Sequence, residues 1–225
     1  MEELCPFCAE LADPTYYQRK INPGWPFPEG RVMYRNDGTM VIPGHGPQVY
    51  PYALVIPFAH ESSFADLSDL SEGQRQSVFS VLDWLTDLPV FGGDVCVFEH
   101  GGGPDSTCQC IEHCHLHVVP GRWTHSLQRA LSTVVAEEAD PIAIDVVSFE
   151  DMPSGYLFVG DYCRDSRRFI GTWVVPKKSE PQLLRRLFAG CLGQNWWDWR
   201  SPKATANQEL MERLYAAAVF AKSPS

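Results

Sequence analysis

The chain has 225 residues, 44% of them hydrophobic and 20% charged, with a formal net charge of −10 and a pI near 5.1. That is enough apolar material for one substantial domain, or a core domain with a large appendage, and too much for a disordered chain. The negative balance excludes a general duplex-binding surface, and no apolar run nears the ~20 residues that cross a bilayer, so neither duplex nucleic acid nor membrane is an expected partner.

The opening MEELCPFCAE has no basic region followed by an apolar core, so it does not read as a secretory signal. Eight cysteines with no mark of export read as metal ligands and thiols in a reducing compartment, and a cytoplasmic location is expected. From Asp13 to Gly30 the prolines Pro14, Pro23, Pro26 and Pro28 predict an ordered, irregular loop. Arg31 to Ile42 reads as strand, turn, strand, with Asn36-Asp37-Gly38 as the turn. Ala53 to Ile56 is a short apolar strand ended by Pro57. Ser71 with Gln74 fits a capping box, and Val78, Val81, Leu82 and Leu85 make one buried stripe of the helix behind it. Val95 to Phe98 reads as a strand and Gly101 to Pro104 as a loop.

Next comes Glu112-His113-Cys114-His115-Leu116-His117-Val118-Val119-Pro120. Strict alternation puts His113, His115 and His117 on one strand face and Cys114, Leu116 and Val118 on the other. Exposed strands favour Thr, Lys and Glu, so three imidazoles in register point to chemistry rather than to a polar face. Imidazole is a nucleophile, a proton carrier or a metal ligand near neutral pH. Histidines at i and i+2 stand about 7 Å apart, so adjacent members can address one phosphate-sized group. Beyond Gly121, Ile142–Phe149, Gly155–Val159 and Phe169–Val175 read as antiparallel strands. Pro181–Leu192 reads as a helix with Gly193 as its C-cap, and Asn207–Lys222 as the last helix.

His113-Cys114-His115-Leu116-His117-Val118-Val119 resembles the His-φ-His-φ-His-φ-φ signature of the histidine-triad (HIT) superfamily of nucleotide hydrolases and transferases. Three other features stand in that family's order. Cys5-Pro-Phe-Cys8 resembles the Cys-x-x-Cys of its zinc-containing branch, and Leu54-Val55-Ile56-Pro57-x-x-His60 with Asp66-Leu67-Ser68 resembles the segment before its first long helix. Gln109 sits four residues before the first triad histidine. The resemblance covers roughly residues 4 to 122 and implies a HIT-like α+β fold. A mostly antiparallel sheet would have helices packed on one side, with a catalytic domain over 1–122 and a C-terminal α+β extension over 123–225.

The resemblance also implies roles. His115 matches the nucleophile that attacks the α-phosphorus of a nucleotide anhydride, ester or amidate. His117 and Gln109 match residues that contact the phosphate. Cys5, Cys8, His60 and His113 make a Cys₂His₂ set suited to a structural zinc ion, although Cys108 or Cys110 could compete for a place in it. A nucleotide or nucleotide conjugate is the expected substrate, and a homodimer is in keeping with the family. The appended half could cover the edge such a dimer needs.

The chain departs from the pattern in two places. The family's ribose-binding acid would fall near Gly44, where no Asp or Glu stands and only His45 or Gln48 could substitute. The stretch before Gln109 is longer than usual; Glu99 or His100 in it could fill the role of the family's Asn, and His100 becomes a candidate substrate contact. In the second half, Trp196-Trp197-Asp198-Trp199-Arg200 is either packing or a stacking platform. Arg185 and Arg186 cannot both face the core, so at least one is expected to be exposed. Lys177 and Arg185, the latter in Gln182-x-x-Arg185-Arg186, are candidates to reach a substrate phosphate.

The favoured reading is a hydrolase that works through a nucleotidyl-histidine. Alternatives are a nucleotidyltransferase or phosphorylase, a non-catalytic zinc-stabilised nucleotide-binding module, and a hydrolase using all three histidines as catalytic metal ligands.

Overall fold

The computed structural model describes residues 5–65, 72–102, 111–135, 143–153, 155–177, 180–201 and 206–221. The Ser71–Gln74 cap, Asp66-Leu67-Ser68 and Gln109 with Cys108 and Cys110 therefore lie outside the described residues. Eight strands form one sheet: β1 (Tyr34–Arg35), β2 (Thr39–Pro43), β3 (Ala53–Pro57), β4 (Val95–His100), β5 (Leu116–Pro120), β6 (Asp145–Val147), β7 (Leu157–Cys163) and β8 (Arg168–Val174). Their order is β1-β2-β3-β5-β4-β7-β8-β6, and every neighbouring pair is antiparallel. Among the described residues the α-helices are α1 (Pro6–Ala12), α2 (Glu72–Asp87), α3 (Thr124–Val135), α4 (Leu183–Cys191) and α5 (Gln208–Phe220).

The predicted hairpin at 31–42 forms, with the Asn36 side chain accepting from the Gly38 and Thr39 amides inside its turn. Strands β2 and β3 are buried along their whole length, which suits sequences apolar at every position but Thr39, whose hydroxyl bonds that of Ser77. Helices cover both faces of the sheet, not the one side expected. Val78, Val81, Leu82 and Leu85 of α2 and Met211 and Leu214 of α5 pack on one face with Val41, Val55, Leu116 and Val118. Phe7 of α1, Leu127 and Leu131 of α3 and Leu184 and Phe188 of α4 pack on the other with Ile42, Ile56, Phe98 and Val119.

Two helices are not evident in the sequence pattern. In α3, Leu127, Leu131 and Val135 recur every fourth residue, a stripe that Ser, Thr and Val partly mask because they favour helices weakly. In α1 there are only seven residues, started by Pro6 at its first position. The sheet also continues unbroken past residue 122. Strand β7 pairs along all of β4, from Val95↔Tyr162 to His100↔Leu157, so the second half extends the sheet of the first. The β4 edge is thus taken by the chain's own β7.

Behind β2 lies a buried polar cluster. Arg31 is paired with Glu10 at 2.7 Å and also donates to the Pro43 carbonyl. His45 Nδ1 is 2.8 Å from the Tyr17 hydroxyl, and its ring meets the edge of Trp199. Burial pushes the His45 imidazole down to about 4, with Arg31 and Arg185 adding repulsion. Below pH 6.5 the unfolded chain binds a proton that folded His45 refuses, so stability falls as pH drops from 6.5 to 4 and levels off below that. The expected loss is about 3 kcal/mol over this window. Urea melts at pH 7 and pH 4 should show a loss smaller by about that amount in His45→Gln than in the wild type, in which other buried histidines add their own share. Equal losses would remove His45 as the cause.

Candidate active site and metal centre

Strand β5 lies between β3 and β4, with His117 opposite both Leu54 and Phe98. Cys114, Leu116 and Val118 enter the core on the α2 side, as alternation requires. His117 faces the other way and stacks on Phe98, with ring centroids 4.8 Å apart and planes at 17°. The ladder begins only at Leu116, and residues 112 and 113 form a bend. That explains an exposed Glu112, which strict alternation would bury. It also frees His113 from the line of the other two.

Hydrogen bonds to groups of fixed polarity set the tautomers of His113 and His115. His113 Nε2 is 2.8 Å from the Pro57 carbonyl, which can only accept, so Nδ1 keeps its lone pair. His115 Nδ1 is 2.9 Å from the His113 carbonyl, so Nδ1 carries the proton and Nε2 the lone pair. His117 Nδ1 is 2.8 Å from the Tyr52 hydroxyl. Burial drives the His117 pKa well below the ordinary histidine value, with His115, Arg185 and His100 adding repulsion, so this ring is neutral at physiological pH. The His115 and His117 centroids are 4.9 Å apart, and the Phe7 ring meets His115 edge-on at 5.2 Å.

The freed Nδ1 of His113 faces two thiols. Cys5 Sγ lies 3.6 Å and Cys8 Sγ 3.5 Å from it, and Cys8 Sγ is 3.1 Å from His60 Nδ1. The ligand atoms of Cys5, Cys8, His60 and His113 all lie within 4.8 Å of one another, so the four could hold a metal ion. Zn–S and Zn–N bonds of about 2.3 and 2.0 Å at a tetrahedral angle put sulfur and nitrogen about 3.5 Å apart, close to these distances. Without a cation the set is electrostatically poor. Burial and the neighbouring Cys5 push the Cys8 thiol up to about 11, and burial with His60 and His115 nearby pushes His113 down to about 4. The Pro57 carbonyl supplies the outer-shell acceptor that metal-bound histidines ordinarily have. This group includes His113 but neither His115 nor His117, against the reading in which all three share one metal.

The remaining candidates are placed as follows. His100 ends β4 two residues beyond Phe98, on the strand face shared with His117, and is half-buried. Lys177 stands exposed in the connection from β8 to α4. Arg185 is buried at 4% exposure and turned into the protein, a correction to its expected place at a substrate phosphate. It donates to the Trp197 carbonyl at 3.0 Å, the Gly46 carbonyl at 2.7 Å and the Tyr52 hydroxyl at 2.9 Å. Arg186 is the more exposed of the two and pairs with Glu180. Gln182 donates to Asp198 and accepts from the Trp199 amide, so Gln182 and Arg185 together strap the tryptophan segment to α4.

Tyr52 gives no functional signal in the sequence, because a tyrosine beside an apolar strand reads as core. It is fully buried, and burial raises its pKa, so the hydroxyl keeps its proton. Its ring also explains Gly44. A Cβ there would fall 2.2 Å from Tyr52 Cδ1, so a carboxylate side chain has no room.

No protein-family model matches the chain, and no curated protein matches it. Among solved structures the chain is similar to a histidine triad protein from Clostridium difficile, with 22% identity over 54% of this chain and 95% of that one and a TM-score of 0.38. It is also similar to a HIT family hydrolase from Clostridium thermocellum, with 17% identity over 54% of this chain and 94% of that one and a TM-score of 0.36. These belong to the group of proteins that the His113–Val119 motif resembles.

Proposed function

We propose that this protein is a nucleotide hydrolase that cleaves at the α-phosphorus of a nucleotide anhydride, ester or amidate, with His115 as the nucleophile. The observation that carries this is the bond from His115 Nδ1 to the His113 carbonyl, which puts the ring proton on Nδ1 and the nucleophilic lone pair on Nε2. The nucleotide character of the substrate rests on the resemblance of the His113–Val119 motif.

In the first step the Nε2 lone pair forms a bond to phosphorus, and the bond to the leaving group breaks with its electron pair. The resulting imidazolium keeps its Nδ1 proton on the His113 carbonyl, which spreads the positive charge. Water then attacks phosphorus, loses a proton to solvent, and the P–N pair returns to Nε2. His117 and Gln109 contact the phosphate oxygens, and His100 is a further contact on the same face. Such a reaction depends chiefly on positioning and on donors aimed at developing charge.

Zinc held by Cys5, Cys8, His60 and His113 would be structural, because four protein ligands leave it no open position. These residues tie α1 to His113, whose carbonyl orients His115.

The test is intact-protein mass spectrometry after an acid-free quench with a panel of nucleotide anhydrides and amidates. The expected result is a mass increase of one nucleoside monophosphate, which also identifies the nucleotide. Steady release of product with no adduct at any time would overturn the covalent route. Saturable binding with no turnover across the panel would favour a binding module.

A further inference from the structure

We propose that Arg185, supplied by the C-terminal half, acts through Tyr52 to fix the proton of His117 on Nε2. This makes His117 an obligate hydrogen-bond donor at the site. The inference deepens the hydrolase reading and rests on it for its catalytic meaning, but its structural content stands alone.

The argument is one of hydrogen-bond polarity. A guanidinium has five N–H donors and no acceptor, so the 2.9 Å contact from Arg185 Nη1 obliges Tyr52 Oη to accept. The single phenolic proton then has the 2.8 Å contact to His117 Nδ1 as its outlet. Nδ1 must accept it, which leaves the ring's proton on Nε2. The opposite tautomer would aim two donors at one phenolic oxygen and leave a buried O–H with no acceptor among the described residues, which is costly. Arg185 is itself held at two further points, the Trp197 and Gly46 carbonyls, and Gln48 donates to its own carbonyl at 2.8 Å. Its fork therefore cannot swing away from Tyr52 without breaking several bonds. His115 and His117 consequently hold opposite tautomers: Nε2 is a lone pair in one and a donor in the other. One can attack phosphorus while the other donates to an oxygen on it.

Arg185 and Tyr52 are positioning residues, and the test reads the tautomer directly. Long-range ¹H–¹⁵N spectra of histidine-labelled protein, with His117→Gln used for assignment, report which ring nitrogen carries the proton. The expected result is a neutral Nε2–H ring for His117 in the substrate-free wild type from pH 6 to 8. Tyr52→Phe and Arg185→Gln should lose that single tautomer and slow adduct formation on the order of 10²-fold with little change in KM. Arg185→Lys, still a pure donor, should retain the tautomer even if it melts earlier.

An Nδ1–H ring in the wild type would overturn the proposal without touching the His115 adduct. So would an unchanged His117 signal in both Tyr52→Phe and Arg185→Gln. A correct tautomer with no adduct from any nucleotide would instead overturn the hydrolase reading alone. If the substituted chains fail to fold, the wild-type spectrum still decides the tautomer.

Discussion

Replacing His115 with alanine is expected to lower turnover by about 10⁴-fold or more and to abolish the nucleotidyl adduct. The reason is local. The alanine chain keeps the His113 carbonyl, the Tyr52–His117 contact and the four side chains of the candidate metal centre, so the proposed substrate site survives without its attacking atom. Water would then have to reach phosphorus directly, with no intermediate to divide the barrier. Folding should be little affected, because His115 is only half-buried and its ring neighbours are held by other contacts, Phe7 at 2% exposure and His117 by Tyr52 and Phe98. Loss of the edge contact is worth about 1 kcal/mol, a few degrees in Tm. Steady-state rates, adduct mass and a thermal melt check the three parts. Turnover within about tenfold of wild type would remove His115 as nucleophile and leave direct attack by water.

Cys8→Ser is expected to empty the metal centre and lower Tm on the order of 10 °C. Cys8 stands at the middle of the cluster, near both His60 and His113. A serine hydroxyl is a weak zinc ligand and leaves three donors behind. Loss of the metal would release α1 and with it Phe7, which lies edge-on to both His113 and His115. Elemental analysis should find one zinc per wild-type chain and none in the variant, and the adduct should form more slowly because the His113 carbonyl is no longer held. A wild type that carries no metal after purification in zinc-containing medium, and melts with Cys8→Ser, would sink the assignment.

Much of this site is legible in the sequence because its chemistry lies in short motifs. Cys5-x-x-Cys8 and the alternating histidines announce themselves by spacing, and the family resemblance supplies His60 and His113 as their partners. The structure brings those four together. The parts that stay hidden depend on long-range packing. Tyr52 meets His117 across 65 positions and Arg185 across 133, and no local pattern encodes either contact. Arg185 misleads because two adjacent arginines on a short helix require only that one be exposed, and their spacing does not say which. Of the carbonyls that hold it inside, Gly46 lies 139 positions away and Trp197 comes from the irregular segment 12 positions on. Helices on both faces are hidden along with α3, although burial along the whole of β2 and β3 leaves neither face for water.

The pairing of β7 along β4 has a consequence for the timing of synthesis. About sixty residues separate the end of β4 from the start of β7. At 5–20 residues per second a ribosome needs roughly three to twelve seconds to cover them. Throughout that interval β4, an apolar strand with an open row of amides and carbonyls, has no partner on that side. An open strand of this kind readily recruits a neighbouring chain. Crowding of nascent chains on one message is therefore the condition under which this protein is most exposed to misassembly, and slowing initiation should help its yield more than lowering the final concentration.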